Sequence, residues 1–157
     1  MFESVKGVKE VYSGYAGGFT KNPNYNQIGS GKTGHAESVE VIYDPAVVNF
    51  GTLVQVFFGS HDPTTPNRQG PDRGTQYRSI AFYTSDQERE IILNYIELLQ
   101  EKKIFSGEIV TEIKPWKNSF MPKNIIRITK KTIRTTPMSS KFPSHDSKDS
   151  SSCIPSF

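Results

Sequence analysis

Thiol chemistry has a single candidate in this 157-residue chain, because Cys153 is its only cysteine. One thiol excludes a disulfide within the chain, a relay between two of its cysteines, and a metal site built from several of them. Cys153 follows three consecutive serines, with no neighbouring cation or evident helix N-terminus to activate its sulfur as a nucleophile. We therefore expect that Cys153 takes no part in catalysis.

Metal binding has other candidates, His35 and His61 together with the carboxylates Glu37 and Asp62. The two histidines lie in separate segments and lack the His-x-x-x-His spacing that places two imidazoles on one face of a helix. Asp62 comes directly before Pro63, where an aspartate usually forms a turn or a cap. We predict that the chain binds no metal and no cofactor.

Two amphipathic helices are predicted in the middle of the chain. The first follows Asn49, a favourable cap, and has apolar side chains at the spacing of one helix face: Phe50, Leu53, Val54, Phe57 and Phe58. The second begins with the capping-box pattern Ser85-Asp86-Gln87-Glu88 and continues with Ile91, Ile92, Tyr95, Ile96, Leu98 and Leu99. Both helices are expected to cover a core.

Four strands are predicted from alternating or β-branched runs, at residues 8–15, 38–43, 79–83 and 109–113. Their order with the helices favours an α+β fold, a two-layer sandwich of helices packed on one mixed sheet. Two segments rich in Gly, Pro, Asn, Asp and Thr, Ala16–Ala36 and Ser60–Tyr77, fit neither helix nor strand. Long irregular segments within a domain are usually functional, so we expect the site there.

Charge and composition divide the chain near Asn118. Residues 1–118 hold 12 Lys and Arg against 14 Asp and Glu, whereas residues 119–157 hold 7 against 2, together with 9 serines. We predict a domain over 1–118 and a basic, Ser-rich, disordered tail over 119–157. Such a tail can bind nucleic acid or a membrane surface, but this one has no contiguous block of Lys and Arg, so we expect neither partner. Residues 1–6 have no secretory pattern and no apolar run is long enough to cross a membrane, which predicts a cytoplasmic protein.

The irregular segments contain an ordered series of motifs. They are Gly14-Tyr15-Ala16-Gly17-Gly18, Asn22-Pro23-Asn24-Tyr25, Thr33-Gly34-His35-Ala36-Glu37, His61-Asp62-Pro63-Thr64 and Asp72-Arg73-Gly74-Thr75-Gln76-Tyr77-Arg78-Ser79. From about Phe2 to Asn118 the chain resembles peptide-methionine (S)-S-oxide reductases. The resemblance implies a ferredoxin-like sandwich. It also implies an oxidoreductase that repairs S-epimer methionine sulfoxide in proteins and peptides after oxidative stress, with thioredoxin as reductant.

The resemblance implies a catalytic set of four residues. Glu37 matches the family's acid, Tyr25 and Tyr77 match two hydroxyl donors to the sulfoxide oxygen, and Asp72 matches a carboxylate that shapes the pocket. A carboxyl group beside aromatic surface can be held in its protonated form, which suits proton donation to a departing oxygen. Without the family, Glu37 would be interpreted as an exposed residue at a strand start, and the tyrosines as partly buried structural residues. We expect the four to converge on one concave site.

The family's nucleophile is a cysteine in the motif Gly-Cys-Phe-Trp at a helix N-terminus, and this motif is absent from the chain. In the family, a phenylalanine later in that helix is followed at a fixed spacing by a Gly-Val pair, and Phe2 and Gly7-Val8 keep this spacing. Met1 would then fall partway along the helix, and the cysteine would precede Met1. We therefore expect no turnover from these 157 residues. The alternatives are a non-catalytic module that binds methionine-sulfoxide peptides, and the unstable product of a decayed or wrongly delimited gene.

The sequence departs from the family again at Ser119. A shift of reading frame can be tested on the codons that encode Phe120–Thr129. When those codons are read from the third base of the first one, alanine is the only possible residue at the second position. The other positions permit Tyr-Ala-Glu-Glu-Tyr-His-Gln-Asp-Tyr, which follows the family pattern. A shifted reading frame would leave the tail without selected structure. Cys153 should then not be equated with the family's resolving cysteine.

Overall fold

Helices and strands are interspersed along the chain in the computed structural model, which describes residues 1–117 and 121–122. In order, the elements are β1 (Val8–Ala16), α1 (Tyr25–Gly29), β2 (Ala36–Tyr43), α2 (Phe50–Phe58), β3 (Arg68–Gln69), β4 (Asp72–Arg73), β5 (Ile80–Tyr83), α3 (Asp86–Glu101), β6 (Glu112–Pro115) and β7 (Met121–Pro122). Two short 3-10 helices, Phe2–Ser4 and Thr75–Tyr77, complete the set. The prediction of a mixed helix-and-sheet fold is confirmed.

The described strands form three separate sheets. One is antiparallel, with β1 between β2 and β7, one is the short hairpin of β3 and β4, and one is the parallel pair of β5 and β6. Three of the four predicted strands lie within about two residues of their expected bounds, and the fourth is shifted from 109–113 to Glu112–Pro115. The single mixed sheet is not confirmed, because in the described residues β2 and β5 are end strands of different sheets.

Both predicted helices are present, and local capping explains where they begin. The side chain of Asn49 accepts a hydrogen bond from the amide of Thr52 at 2.8 Å, and that of Ser85 accepts one from the amide of Glu88 at 3.2 Å. The expected capping box at α3 is only half formed. The Glu88 carboxylate turns instead to the amide and hydroxyl of Thr84, at 2.6 and 2.8 Å.

Short elements lie inside the segments predicted to be irregular. Helix α1 is five residues long and carries a complete capping box, in which Asn24 and Gln27 each accept a hydrogen bond from the other's amide. The hairpin of β3 and β4 and the 3-10 helix Thr75–Tyr77 occupy the second segment. The periodicity of the sequence did not predict them, because elements this short complete barely one turn or one pair of residues.

The hydrophobic core lies between the two long helices and the parallel strands. Val54 and Phe58 from α2 and Ile92 and Leu99 from α3 are buried together. Partly buried neighbours from β5, β6 and the loop before β6 close the cluster: Ala81, Tyr83, Phe105, Ile109 and Ile113. Both helices therefore cover a core, as predicted.

Strand β7 lies beyond the predicted domain boundary at Asn118. It pairs with Gly14 and Tyr15 of β1. The rest of the predicted disordered tail, 123–157, lies outside the described residues, as do Cys153 and residues 118–120. Within the part of the chain that the structure describes, no helix is both long and apolar enough to cross a membrane.

Candidate active site

A cavity of about 880 Å³ contains three of the four predicted site residues on its wall. Glu37 comes from the start of β2, Asp72 from β4, and Tyr77 from the 3-10 helix that precedes β5. Tyr25 is not among the lining residues. It is the first residue of α1, and 75% of its surface is exposed. The structure thus brings Glu37, Asp72 and Tyr77 to one concave surface and leaves Tyr25 outside it.

The position of Glu37 is set by its pairing with a residue of the neighbouring strand. It lies opposite Tyr15 in the antiparallel register, and the next pair along is Ala16 opposite Ala36, both fully buried. Residues directly opposite each other in antiparallel strands present their side chains on the same face. The carboxyl group of exposed Glu37 therefore shares a face with the aromatic ring of Tyr15, which is only 5% exposed.

Tyr77 is positioned by contacts of the two residues before it. The Thr75 hydroxyl donates to the carbonyl of Gly31 at 2.9 Å, and the Gln76 amide group donates to the carbonyl of Gly29 at 3.4 Å. Gly74 precedes them with a φ of 142°, and a Cβ at this position would collide with the side chain of Gln76. These interactions fix the 3-10 helix of Tyr77 against the loop that follows α1.

Arg78 connects three parts of the chain around the site. Its guanidinium donates to the carbonyls of Thr75 at 2.7 Å and Gly34 at 2.9 Å, and its Nε lies 3.3 Å from a carboxylate oxygen of Glu112 in β6. Only 11% of the Arg78 side chain is exposed. Since Gly34 comes shortly before Glu37, Arg78 links the backbone leading to Glu37 with the backbone of Tyr77. Arg78 stands in the last of the sequence motifs, but the motif alone predicts no role for it.

His35 is a structural residue of the glycine-rich loop. It is 3% exposed; its Nδ1 accepts a hydrogen bond from the amide of Gly18 at 3.2 Å, and its Nε2 donates to the carbonyl of Thr20 at 3.0 Å. Both ring nitrogens are used in these contacts. His35 therefore holds the loop before β2 rather than facing a ligand.

His61, in the lining of the cavity, starts a partly buried chain of hydrogen bonds. Its Nδ1 donates to the carbonyl of Phe57 at 2.8 Å, so its Nε2 accepts from the hydroxyl of Ser79 at 2.7 Å. Ser79 lies 2.8 Å from the hydroxyl of Thr111, which is then the donor. Burial lowers the pKa of His61, and the Phe57 carbonyl and nearby Asp62 offset part of that effect. These contacts make His61 a structural residue, and its lowered pKa favours the neutral imidazole.

The candidate metal ligands do not come together. In residues 1–117 no group of three or more His, Cys, Asp or Glu side chains is arranged to hold a metal ion. Asp62 accepts from the amide and hydroxyl of Thr64, at 2.9 and 2.6 Å. This contact confirms its interpretation as a turn residue.

The lining of the cavity includes a phenol, that of Tyr77, and the carboxyl groups of Glu37 and Asp72. A phenol donates a hydrogen bond to an oxygen atom, and a protonated carboxyl group can transfer a proton to it. No cysteine lies in residues 1–117. Groups of both kinds are therefore present in the described part of the cavity, and a thiol is not.

Comparison with solved structures defines the class of this fold. A methionine sulfoxide reductase A of Corynebacterium diphtheriae matches 77% of the chain with a TM-score of 0.65 and 38% identity, over 61% of its own length. Mxr1 from Saccharomyces cerevisiae, in reduced form, matches 74% of the chain with a TM-score of 0.67 and 38% identity, over 66% of its own length.

Comparison of sequences identifies the family. The family model described as peptide methionine sulfoxide reductase matches residues 1–125. The chain is 51% identical over 112 residues to the reductase MsrA of Chromobacterium violaceum and 54% identical over 112 residues to that of Natronomonas pharaonis, in each case over 71% of the chain. The chain therefore belongs to the peptide methionine sulfoxide reductase family. It spans 64% and 63% of the lengths of these two relatives.

Proposed function

We propose that this chain is the body of a reductase acting on methionine sulfoxide in proteins and peptides, and that its cavity holds the sulfoxide oxygen. The observation that carries the proposal is that Glu37, Asp72 and Tyr77 line one cavity, although they come from three different elements. The family membership supports the same reaction. A cytoplasmic location is part of the proposal.

Each residue has a separate role in this reaction. The phenol of Tyr77 donates a hydrogen bond to the sulfoxide oxygen, and Glu37 in its protonated form transfers a proton to that oxygen as it leaves sulfur. Asp72 shapes the same wall. Tyr25 is proposed as the second hydroxyl donor on the resemblance alone, since it is 75% exposed and does not line the cavity.

The reaction requires a sulfur nucleophile. A cysteine thiol attacks the sulfoxide sulfur and takes up the oxygen. The cysteine is oxidised to a sulfenic acid, and the sulfoxide is reduced to the thioether by the same two electrons. In the proposal this cysteine precedes Met1 in a longer form of the chain, and thioredoxin then reduces the sulfenic acid through a disulfide. Residues 1–157 alone should give no turnover.

The added segment would also complete the fold. We propose that the ferredoxin-like two-layer sandwich, with one mixed sheet, forms when a further strand joins the sheet of β2 to the sheet of β5. The helices α2 and α3 already supply the second layer.

The experiment compares three forms with a sulfoxide-containing peptide and dithiothreitol as reductant, which makes resolving cysteines unnecessary. The forms are the 157-residue chain, a form extended upstream through Gly-Cys-Phe-Trp, and the same extension with serine in place of the cysteine. Only the cysteine form should turn over, since loss of a nucleophile costs on the order of a millionfold in rate. Comparable rates from all three forms would refute the proposal that the nucleophile lies upstream of Met1.

A matched pair of substitutions tests the cavity. In the cysteine form, Tyr77→Phe should lower kcat by about ten- to a thousandfold, because it removes one donor to the developing charge. Tyr12→Phe is the control, since Tyr12 is exposed and does not line the cavity. Equal rates for the two variants would show that the Tyr77 hydroxyl does not contribute to catalysis. Peptide binding by the 157-residue chain without turnover in any form would instead indicate a binding module.

A further inference from the structure

An exposed phenylalanine, Phe19, lies in the glycine-rich loop between β1 and α1. It is 80% exposed, the highest value among the large apolar side chains of the described residues. The hydrophobic effect stabilises only surface that is removed from water, so this ring contributes little to the stability of the fold. Single exposed apolar residues are common on protein surfaces. Phe19 is distinguished from them by the contacts that fix its position.

Hydrogen bonds hold the backbone on both sides of Phe19. The amides of Phe19 and Thr20 donate to the carbonyl of Thr33, at 3.1 and 3.4 Å. The amide of Gly18 donates to one ring nitrogen of His35, and the other ring nitrogen donates to the carbonyl of Thr20. Thr33 and His35 are each only 3% exposed. The backbone of Phe19 is therefore anchored to two buried residues.

The ring of Phe19 lies across a glycine. Gly34 has a φ of 73°, and a Cβ at this position would come within 2.7 Å of Cδ1 and Cε1 of Phe19. Any side chain there would push the ring away, so the glycine is what lets the ring lie against the backbone. The carbonyl of Gly34 accepts a hydrogen bond from the Arg78 guanidinium at 2.9 Å. The surface under the ring is thus held in place as well.

The fixed ring lies close to the candidate active site. Arg78 and Glu37 both line the cavity. Gly34 is bonded to the first and lies three residues before the second, which separates their Cα atoms by about 11 Å at most. On the other side of the loop, a Cβ at Gly17 would come within 2.7 Å of the Phe82 ring, which also lines the cavity. The short loop that carries the exposed ring therefore runs along the rim of the cavity.

We propose that Phe19 is a specificity-determining residue, which binds an apolar side chain next to the methionine sulfoxide of a protein substrate. This inference rests on the proposed function, because it takes the sulfoxide to be held in the cavity. In an extended substrate, residues up to three positions from the sulfoxide lie within about 11 Å of it, so they reach the rim. Contact with the ring removes apolar surface of both partners from water. An aromatic ring with two side-chain torsions loses little conformational entropy when it binds.

Charge near the loop gives the alternative occupant. Lys21 and Lys32 are both exposed, and they lie two residues from Phe19 and from Gly34, respectively. An acidic side chain beside the sulfoxide could pair with one of them, but exposed ion pairs are screened by salt and contribute little. Contact of an apolar side chain with the ring gives up no hydrogen bond to water. The occupant is therefore apolar, and an acidic one becomes an outcome of the test.

The test measures binding of sulfoxide peptides to the upstream-extended form with serine in place of the cysteine, which requires no turnover. The probes are acetylated, amidated heptapeptides with a central methionine sulfoxide. One has serine at all other positions, one has leucine at the two positions before the sulfoxide, one has leucine at the two positions after it, and one has glutamate at these four positions. One leucine peptide should bind about four- to fifteenfold more tightly than the serine peptide, since each methylene group buried on the ring changes affinity about fourfold.

Matched variants separate this contact from a general effect on the fold. Phe19→Ser should remove the preference for leucine and leave binding of the serine peptide within about twofold of the parent. Phe19→Leu keeps an apolar side chain and should keep most of the preference. Ile104→Ser is the control, because Ile104 is 58% exposed and does not line the cavity, and it should leave the preference unchanged. Amide NMR spectra check that Thr33 and His35 keep their positions in Phe19→Ser.

Four outcomes would overturn the role of Phe19. They are equal binding of all peptides, a leucine preference that survives in Phe19→Ser, tightest binding of the glutamate peptide, and no binding of any peptide. The proposed function is tested separately by reduction of N-acetyl-methionine sulfoxide with the cysteine form. This small substrate has no flanking side chain, so Phe19→Ser should reduce it as fast as the parent. Failure of that reaction would refute the reductase and leave the peptide preference to decide on Phe19.

Discussion

The helical core and the loops around the site are held together by different interactions. In the core, Phe58 is 2% exposed and Ile92 is 1% exposed, and both are surrounded by other apolar side chains. Around the site, Thr75, Gln76 and Arg78 donate to the backbone carbonyls of Gly31, Gly29 and Gly34, respectively. The stability of the core thus depends on filling its volume, and many combinations of apolar side chains can do this. The site depends on a few directed hydrogen bonds.

The largest effect is expected in the core. Ile92→Ala removes a fully buried side chain and leaves a cavity, so it should lower the free energy of unfolding by about 2 to 5 kcal/mol. Leu93→Ala is the control on the same helix, because Leu93 is 38% exposed, and it should cost well under half as much. Urea denaturation measures both. Equal losses would mean that the core does not have the packing described.

A smaller effect is expected from the hydrogen bonds that hold the site. Arg78→Lys keeps the charge but cannot reach Thr75, Gly34 and Glu112 together, so it should cost about 1 to 3 kcal/mol of unfolding free energy. Arg89→Lys is the control, because Arg89 is exposed on α3. Amide exchange should quicken around Gly34 and Tyr77 while α3 is unchanged. Faster exchange in α3 would show that Arg78 stabilises the core instead.

The smallest effect is a dependence of stability on pH. Because burial lowers the pKa of His61 below its usual 6.5, the unfolded chain takes up a proton at a higher pH than the folded chain. Stability is then full above about pH 6.5 and declines as the pH falls toward the folded-state pKa. His61→Gln should flatten this decline when unfolding is followed from about pH 7.5 to about pH 5.5. An identical slope in both proteins would show that a group other than His61 causes the loss of stability.

Local pattern predicted the helices and most strands, because these elements are encoded within their own residues. Asn49 and Ser85 cap α2 and α3 at the expected positions. Helix α1 was missed because its five residues depend on a capping box between Asn24 and Gln27 within a glycine- and asparagine-rich segment. The division of the strands into three sheets depends on contacts between distant parts of the chain, which periodicity does not encode.

The candidate site was predicted from the resemblance rather than from the pattern of the sequence. Glu37, Asp72 and Tyr77 do line one cavity, and Tyr25 lies outside it. Their catalytic roles remain predictions. The positioning by Arg78 was missed because its acceptor, the carbonyl of Gly34, lies 44 residues away, and any residue type supplies such a carbonyl. His35, which is buried, and His61, which is partly buried, could be recognised as structural only when the partners of both ring nitrogens were known.

The hydrogen bonds of Thr75 to Gly31 and of Arg78 to Gly34 each close a loop of 44 residues. Closing such a loop costs conformational entropy before the contact gives anything in return, whereas the turns of α2 and α3 close over a few residues. The helices can therefore form early in folding, and the loops of the site join them late. Because the loops of the site form last, they should be the first part of the chain to open on heating. A protease added below the unfolding midpoint should cut between Gly29 and Gly34 while Ile92 stays buried.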